Sequence, residues 1–584
     1  DPAPGGMPAP PFAVALRERL TDARPVECST PKQMAAARYG LGVMAGLCWA
    51  AAFPKWDIAG LAWIAPGLIL LATAGASPRV MFRVGYTAGV AHYLAGLYWI
   101  LCIPVGFYPI LGWLALAFFL ALYPAIWARF CWSRLASRSV PGGGSLLQCA
   151  TDRVAGTTWG GRTAWALMAA AAWVTWEMIQ ARLFSGFPWN LLGASQSKML
   201  LITQVARFAG VFGISFLVVW GSASLLMGVL VLLHSPDRRN AWQREVALPF
   251  LAVLGLSVWG WTRVVSPAPP PGRTLDIALV QPSIPQTMIW DDRESNARFA
   301  KLLQLSRTAL ASRPDLLVWP EAALPYPIRY DTETSDAVAS LLKGGRTWLA
   351  LGSDDAEVQV DAGGQRRTNY YNSAFLLNPS GGIEATYRKR QLVIFGEYVP
   401  LLRWLPFLKW FTPITGGFTP GERRVGFQIG EPKARFAPLI CFEDMFAGLV
   451  RDQSQQEVEF LLNLTNDGWF GESAQQWQHA ANASLRAIET GLPLVRCANN
   501  GISCWVDATG RILSAQSPGF TSEYGEGVKR VRLPIASPGP WTFYRRFGDL
   551  FGWACVAWVV GGIASAAWGR RQGGIRGNTS GGIG

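Results

Sequence analysis

Charge is what this 584-residue sequence has least of. Only 15% of its residues are charged, against about 25% in an average soluble protein. The deficit is concentrated before residue 265 and again near the C-terminus, with a segment of ordinary soluble composition between. Two kinds of domain therefore share one chain. Histidine is nearly absent: His92, His234 and His479 lie far apart, without ligand spacing. Six of the nine cysteines, Cys28, Cys48, Cys102, Cys131, Cys149 and Cys555, fall in or beside the apolar parts, with no CxxC pair. These absences argue against a metal centre or a disulfide framework, and no cofactor is expected. A net charge of +14 would suit nucleic acid, but no RNA- or DNA-binding motif accompanies it. Many arginines instead sit in short loops between apolar runs, so the expected partner is a lipid bilayer and not nucleic acid.

What is abundant is apolar length. A crossing helix needs about 20 mostly apolar residues, and seven such runs precede the polar segment: roughly 36–53, 58–76, 82–103, 108–129, 163–184, 208–234 and 246–264. An eighth fits 550–569, ended by Arg570 and Arg571. Residues 84–128 carry no charge and are too many for one span, so the turn-forming run Pro104–Pro109 divides them. Asp1–Gly6, before Met7, read as a cloning remnant. Residues 1–35 form a polar, basic lead, so the first span is expected to be an uncleaved anchor rather than a signal peptide. With the N-terminus inside, cytoplasmic stretches receive Arg17, Arg19, Arg24, Lys32 and Arg38, then Arg79 and Arg83, then Arg134, Arg138, Arg153 and Arg162, then Arg238, Arg239 and Arg244, and finally Arg570, Arg571 and Arg576. Opposite loops carry little beyond Lys55, Arg182, Lys198 and Arg207. This asymmetry and an odd span count put residues 266–547 outside the cytoplasm, between a membrane domain at 36–265 and a closing helix at 548–569, with 570–584 as a cytoplasmic tail.

The polar segment opens on the linker Pro267–Pro271 and then alternates strands with helices. Leu275–Val280, Asp315–Trp319, Thr347–Gly352, Ala374–Leu377, Phe436–Ile440 and Glu459–Leu464 read as strands. Helical patterns cover about 293–312 and Gln475–Thr490, the latter closed by Gly491 and Pro493. The alternation predicts an α/β or layered α-β-β-α domain.

Three loops at strand ends carry chemistry. In Trp319-Pro-Glu321-Ala322, a carboxylate behind a rigid proline suits a general base. In Tyr387-Arg-Lys389-Arg-Gln-Leu-Val-Ile-Phe-Gly-Glu397-Tyr-Val-Pro400, a lysine lies among other cations and Glu397 follows an apolar stretch. In Pro438-Leu-Ile-Cys441-Phe442-Glu443-Asp444, a cysteine directly follows an apolar strand, where nucleophiles often sit. Taken singly, the first two also fit solvated loops and the third a packed thiol. Together they supply a nucleophile, a base to take its proton and a cation to lower its pKa.

The ordered set Glu321, Lys389 and Cys441 resembles the Glu-Lys-Cys triad of the nitrilase, or carbon-nitrogen hydrolase, superfamily. Asn463-Leu-Thr-Asn466-Asp-Gly-Trp469-Phe470 and Arg496-Cys-Ala-Asn499-Asn500-Gly501-Ile-Ser503 fit the same superfamily. A seven-span domain in front and one span behind resemble the apolipoprotein N-acyltransferase family, as do Gly186-Phe-Pro-Trp189 and Gln281–Trp290, over about residues 36–569. Phe442 replaces a frequent Tyr and Ile394 a usual Pro. The resemblance implies a polytopic α-helical membrane domain of about eight transmembrane helices plus a nitrilase-like αββα sandwich. It also implies a ping-pong reaction in the bacterial inner membrane, with the catalytic domain in the periplasm. Cys441, deprotonated by Glu321, would take the sn-1 acyl chain of a phospholipid, phosphatidylethanolamine, as a thioester. The diacylglyceryl-cysteine amine of a lipoprotein would then accept it. Lys389 and backbone N–H groups near Phe442 would stabilise the oxyanion, Glu397 would orient Lys389, and Glu443 would tune the site.

Further expectations concern access and pairing. Leu401, Leu402, Trp404, Leu405, Phe407, Leu408, Trp410 and Phe411, interleaved with Arg403 and Lys409, fit either an interfacial segment or a core helix. Trp469 and Phe470, joined by Trp290, suggest a lid over the acyl chain; packing is the alternative. Glu177 and Arg182 fit either a functional pair near lipid or an interfacial ion pair. Cys497 and Cys504 are symmetric about Asn500-Gly501, a two-residue hairpin turn, so they could be a disulfide or two packed thiols. Competing functions are a membrane-tethered amidase, a noncatalytic scaffold and a transporter.

Overall fold

The computed structural model describes residues 30–134, 145–234, 240–266, 272–360, 364–402, 404–411, 417–431, 433–514, 524–535 and 541–578. Most of the lead, the linker Pro267–Pro271, Arg403, the loop arginines Arg138, Arg238 and Arg239, and the end of the tail lie outside them.

Each apolar run forms helix. The membrane part comprises α1 (Pro31–Ala51), α2 (Ala65–Thr73), α3 (Pro78–Gly96), α4 (Tyr108–Leu120), α5 (Leu122–Ser133), α6 (Leu146–Ala155), α7 (Trp159–Gln180), α8 (Ala206–His234) and α9 (Ala241–Val265). Thr30 starts α1 with a reciprocal cap to Gln33, and Pro31 occupies its first turn. The break expected at Pro104–Pro109 is present between a short 3-10 turn at Tyr98–Cys102 and α4. Among the described residues, four helices are long and apolar enough to cross a bilayer: Tyr108–Ser133, Ala206–His234, Ala241–Val265 and Leu550–Trp568. Of these, α8 is the most enclosed, whereas α9 turns Phe250, Leu251, Val258 and Trp261 outward. An apolar face of that kind needs an apolar solvent, which a lipid bilayer provides.

Among the described residues, twelve strands form two six-stranded sheets. One has the order β12-β1-β2-β3-β4-β5 and the other β11-β10-β9-β8-β7-β6. They comprise β1 (Arg273–Gln281), β2 (Leu316–Val318), β3 (Trp348–Val360), β4 (Arg366–Leu377), β5 (Ile383–Arg388), β6 (Phe427–Ile429), β7 (Ala434–Ile440), β8 (Phe460–Thr465), β9 (Leu494–Ala498), β10 (Cys504–Val506), β11 (Ile512–Ser514) and β12 (Gly527–Ile535). Central pairs β1–β2, β2–β3, β7–β8 and β8–β9 are parallel.

Central strands are apolar on both faces because both faces are covered. Ile277 and Leu279 meet Phe436, Phe460 and Leu462 between the sheets. Ala278 and Val280 pack outward beneath α10 (Ser295–Leu310) and α11 (Thr332–Leu342). On the other sheet, Ala437 and Leu439 meet α12 (Ala447–Ser454) and α13 (Gln475–Thr490). The result is the four-layer α-β-β-α sandwich. The chain then returns to apolar helix in α14 (Leu550–Asn578).

The two parts are joined through α13. Gln478 accepts the indole N–H of Trp99 at 3.1 Å and of Trp189 at 2.8 Å, and donates to the Pro54 carbonyl at 2.7 Å. Glu489 accepts the Val211 N–H at 2.8 Å, capping α8 just after Gly210 breaks it at φ 63°.

Two pairings differ from expectation. Cys504 lies opposite Arg496, not Cys497, because the β9–β10 connection is wider than a two-residue turn. One residue of slip sends the two thiols to opposite faces. Cys497 faces the inter-sheet core and Cys504 the helical layer, and both are free. Nor do Glu177 and Arg182 pair: Arg182 bonds Asp549 beside α14, while Glu177 accepts from Trp173 Nε1 at 2.9 Å and Leu192 N at 2.7 Å.

Candidate active site

The three expected loops converge at one end of the sandwich. β2 ends at Val318, and Glu321 follows just beyond it; Lys389 follows β5 directly, and Cys441 follows β7 directly. Lys389 Nζ lies 3.1 Å from Glu321 Oε1 and 2.8 Å from Glu397 Oε1; Lys389 and Glu321 are buried and Glu397 is partly so. Asn372 Nδ2 donates to the same two oxygens, at 2.8 and 3.0 Å. Asn466 N holds the other oxygen of Glu321 at 3.1 Å, and Val393 N that of Glu397 at 2.9 Å. Every carboxylate oxygen thus has a donor, so both side chains have fixed orientations.

Burial pulls the Lys389 ammonium towards neutrality, but Glu321 and Glu397 outweigh it and hold its pKa well above the usual lysine range. The cation is therefore permanent at neutral pH. Cys441, half-buried, follows β7 in the left-handed region at φ 54°, a strained turn of the kind found where a nucleophile is presented. Burial and the Glu321 carboxylate push its thiol pKa well up, and Lys389 opposes them. At rest the sulfur is thus a thiol beside a carboxylate and a fixed cation.

Glu443 clamps the Lys389 and Cys441 loops together. It is fully buried, and its Oε1 accepts from Arg390 N at 2.7 Å and Gln391 N at 3.1 Å. Its Oε2 accepts from Ile440 N at 2.8 Å, and the Tyr387 hydroxyl reaches both oxygens at 3.0 and 2.9 Å. Behind the cysteine lies a closed quartet. His479 lies 2.6 Å from Asp444 and 2.9 Å from Asp467, and Arg496 bridges the same carboxylates at 3.0 and 2.5 Å. Asn463 Nδ2 links it to the Cys441 carbonyl at 3.0 Å and to Asp444 at 2.5 Å.

Two family models match the chain: the carbon-nitrogen hydrolase model over residues 276–526 and the apolipoprotein N-acyltransferase N-terminal domain over 45–224. An apolipoprotein N-acyltransferase of Geobacter metallireducens is 34% identical over 89% of this chain and 93% of its own length. The chain belongs to the apolipoprotein N-acyltransferase family. A family member from Brucella melitensis is 31% identical over 80% of this chain and 84% of its own. Among solved structures, a nitrilase-superfamily amidase of Nesterenkonia is 17% identical over 45% of this chain and 92% of its own, with a TM-score of 0.33.

The remaining expected residues of this acyltransferase-family chain divide. Trp290 and Trp469 meet edge to face at 5.2 Å, a pair of indoles on two loops. Phe470 instead packs at 4.8 Å on Trp99 of the membrane part, so it belongs to the joint between domains. Phe442 lies 5.6 Å from Lys389 Nζ and packs edge to face on Phe446. Trp404 is 76% exposed and Trp410 77%, so neither is part of a core helix. Arg403 and the side chains of Lys409 and Phe411 lie outside the described residues. Sequence reasoning missed Asn372. Its signal was a polar residue at the same strand parity as inward-facing Ala374 and Leu376.

Proposed function

We propose that this chain transfers a fatty acyl chain from a phospholipid to the N-terminal α-amine of a diacylated lipoprotein, through a thioester on Cys441. The observation that carries the reading is Lys389, a buried cation fixed between Glu321 and Glu397 beside a cysteine presented at positive φ. The family's name supplies the lipoprotein substrate and N-acylation. In the first half-reaction, Glu321 takes the Cys441 proton and the sulfur attacks the sn-1 carbonyl of phosphatidylethanolamine. Lys389 and backbone N–H groups near Phe442 stabilise the oxyanion. The ester C–O bond breaks, and Glu321 returns its proton to the departing lysophospholipid oxygen. In the second, the acceptor amine attacks the thioester, C–N forms, C–S breaks and the thiol is restored. Glu397 positions Lys389.

Both substrates are lipids, and the exposed Leu401, Trp404, Leu405, Phe407 and Trp410 support a site that opens at a bilayer surface. All eight apolar segments cross the bacterial inner membrane in this reading. Residues 266–547 lie in the periplasm, between the membrane domain at 36–265 and the closing helix at 548–569, with 1–35 and 570–584 on the cytoplasmic side.

The test is intact-mass analysis after incubation with phospholipid alone. One acyl adduct is expected on Cys441, none on Cys441→Ser, and chase into a diacylated lipopeptide. Absence of any adduct refutes the reading, and release only as free fatty acid would make the protein a hydrolase that passes its thioester to water.

A further inference from the structure

Asp354 on β3 lies directly opposite Asn372 on β4, so their side chains share one face of the sheet. That face is the one on which Asn372 reaches Glu321 and Glu397. Gly352, two residues earlier on the same face, abuts Glu321 so closely that a Cβ there would stand 2.7 Å from the Glu321 Cα. The strand thus passes against the catalytic carboxylate and carries Asp354 one step outward, where the residue is open to solvent. Its neighbour Asp355 points the opposite way and is neutralised by Arg329 at 3.0 Å and Arg388 at 3.3 Å. No cation among the described residues pairs with Asp354.

Among the described residues, the mouth of the site therefore holds three carboxylates, Glu321, Glu397 and Asp354, against one paired cation, Lys389. Partial enclosure of its carboxyl and repulsion from Glu321 and Glu397 push the Asp354 pKa up to about 6, although the residue keeps an exposed face. A carboxylate pressed against two others is relieved when a cation joins it. The acyl acceptor supplies one: an α-amine has a pKa of about 7.7–8.0 and arrives largely as ammonium.

We propose that Asp354 is the acceptor-recognition residue, binding the primary ammonium of the incoming lipidated N-terminus as it approaches the Cys441 thioester. The inference rests on the acyl-transfer reading above. The bound ammonium passes one proton to the carboxylate and becomes the attacking amine. C–N forms, C–S breaks, Glu321 carries the second amine proton to the Cys441 sulfur, and Asp354 releases its own proton to solvent.

A phosphatidylethanolamine headgroup is also a primary ammonium, so the test separates the two sources. Asp354→Asn and Asp354→Glu are compared with wild type in two assays: the rate of Cys441 adduct formation from phosphatidylethanolamine and from phosphatidylglycerol, and steady-state transfer to a diacylated lipopeptide. The expected Asn variant forms adduct from both donors at the wild-type rate but shows an acceptor KM raised about tenfold, the loss typical of one charged hydrogen bond. The Glu variant recovers most of that loss. An unchanged acceptor KM overturns the proposal. So does slowing with phosphatidylethanolamine alone, which would assign the ammonium to the donor, or equal slowing with both donors, which would make the residue structural. Failure of wild type to form any adduct would instead refute the acyl-transfer reading itself.

Discussion

Glu443→Gln interrogates the clamp between the Lys389 and Cys441 loops. The carboxylate takes Arg390 N, Gln391 N and the Tyr387 hydroxyl on one oxygen, and Ile440 N and the same hydroxyl on the other. An amide offers one acceptor oxygen and one donor group. If the oxygen faces Arg390 and Gln391, the NH2 group meets the Ile440 N–H; if it turns over, two backbone donors lose their partner. The first arrangement costs one charge-assisted hydrogen bond and leaves a buried donor unpaired, overlapping losses that together amount to about 2–4 kcal/mol. At about 2 °C per kcal/mol for a domain of this size, the midpoint of thermal unfolding in detergent should fall by about 4–8 °C. Because the clamp also sets the Lys389–Cys441 geometry, adduct formation should slow by about a hundredfold, the typical effect of a misplacement near 1 Å. An unfolding midpoint within about 1 °C of wild type, together with normal adduct formation, would refute this account.

Other outcomes follow from the same structure. Gln478→Ala leaves two buried indole N–H groups and the Pro54 carbonyl unpaired at the joint between domains. It should destabilise by about 3–6 kcal/mol, and limited proteolysis should then cleave more readily between the domains. For His479, burial and Arg496 lower the pKa, but Asp444 and Asp467 overcome them and raise it. A raised folded pKa means stability that is complete below about pH 6.5 and declines as pH rises from there through the folded value. Thermal unfolding from pH 6 to 9 should show that decline, and a His479→Gln variant should flatten it. Cys497 and Cys504 are buried free thiols with pKa pushed up, that of Cys504 to about 11. Native alkylation near pH 8 should spare both, and a reductant should leave the mass of the peptides containing them unchanged.

Linear information went furthest where a residue's role follows from its immediate neighbours. Apolar length alone marked the stretches that contain the four helices long and apolar enough to cross a bilayer among the described residues, because burial in lipid constrains about 20 consecutive positions at once. Glu321, Lys389 and Cys441 were legible because each lies in a loop just past a β-strand, and Gln475–Thr490 because glycine and proline close a periodic stretch. Strands β5, β6, β11 and β12 escaped, and β9 and β10 were expected only as the arms of a hairpin: three residues in β6 or β11 carry too little periodicity, and β12 alternates with Lys529, Arg530 and Arg532.

Tertiary structure decided what depends on register and on partners distant in the chain. Whether Cys497 could meet Cys504 turned on one residue of loop width, which composition does not encode. Glu443 reads locally as one more acidic residue after Cys441, and only the folded chain brings Tyr387, Arg390 and Gln391 to it. Asp354 and Asp355 are identical in sequence terms, yet strand alternation sends Asp355 to two arginines and Asp354, with no paired cation among the described residues, to the side of Glu321 and Glu397. The sequence by itself therefore determined which groups the chain owns and which segments are apolar. Their pairing, and hence their charge and orientation, emerged only when strands a hundred residues apart lay side by side, because hydrogen bonds and Coulomb interactions act over a few ångströms of space regardless of separation along the chain.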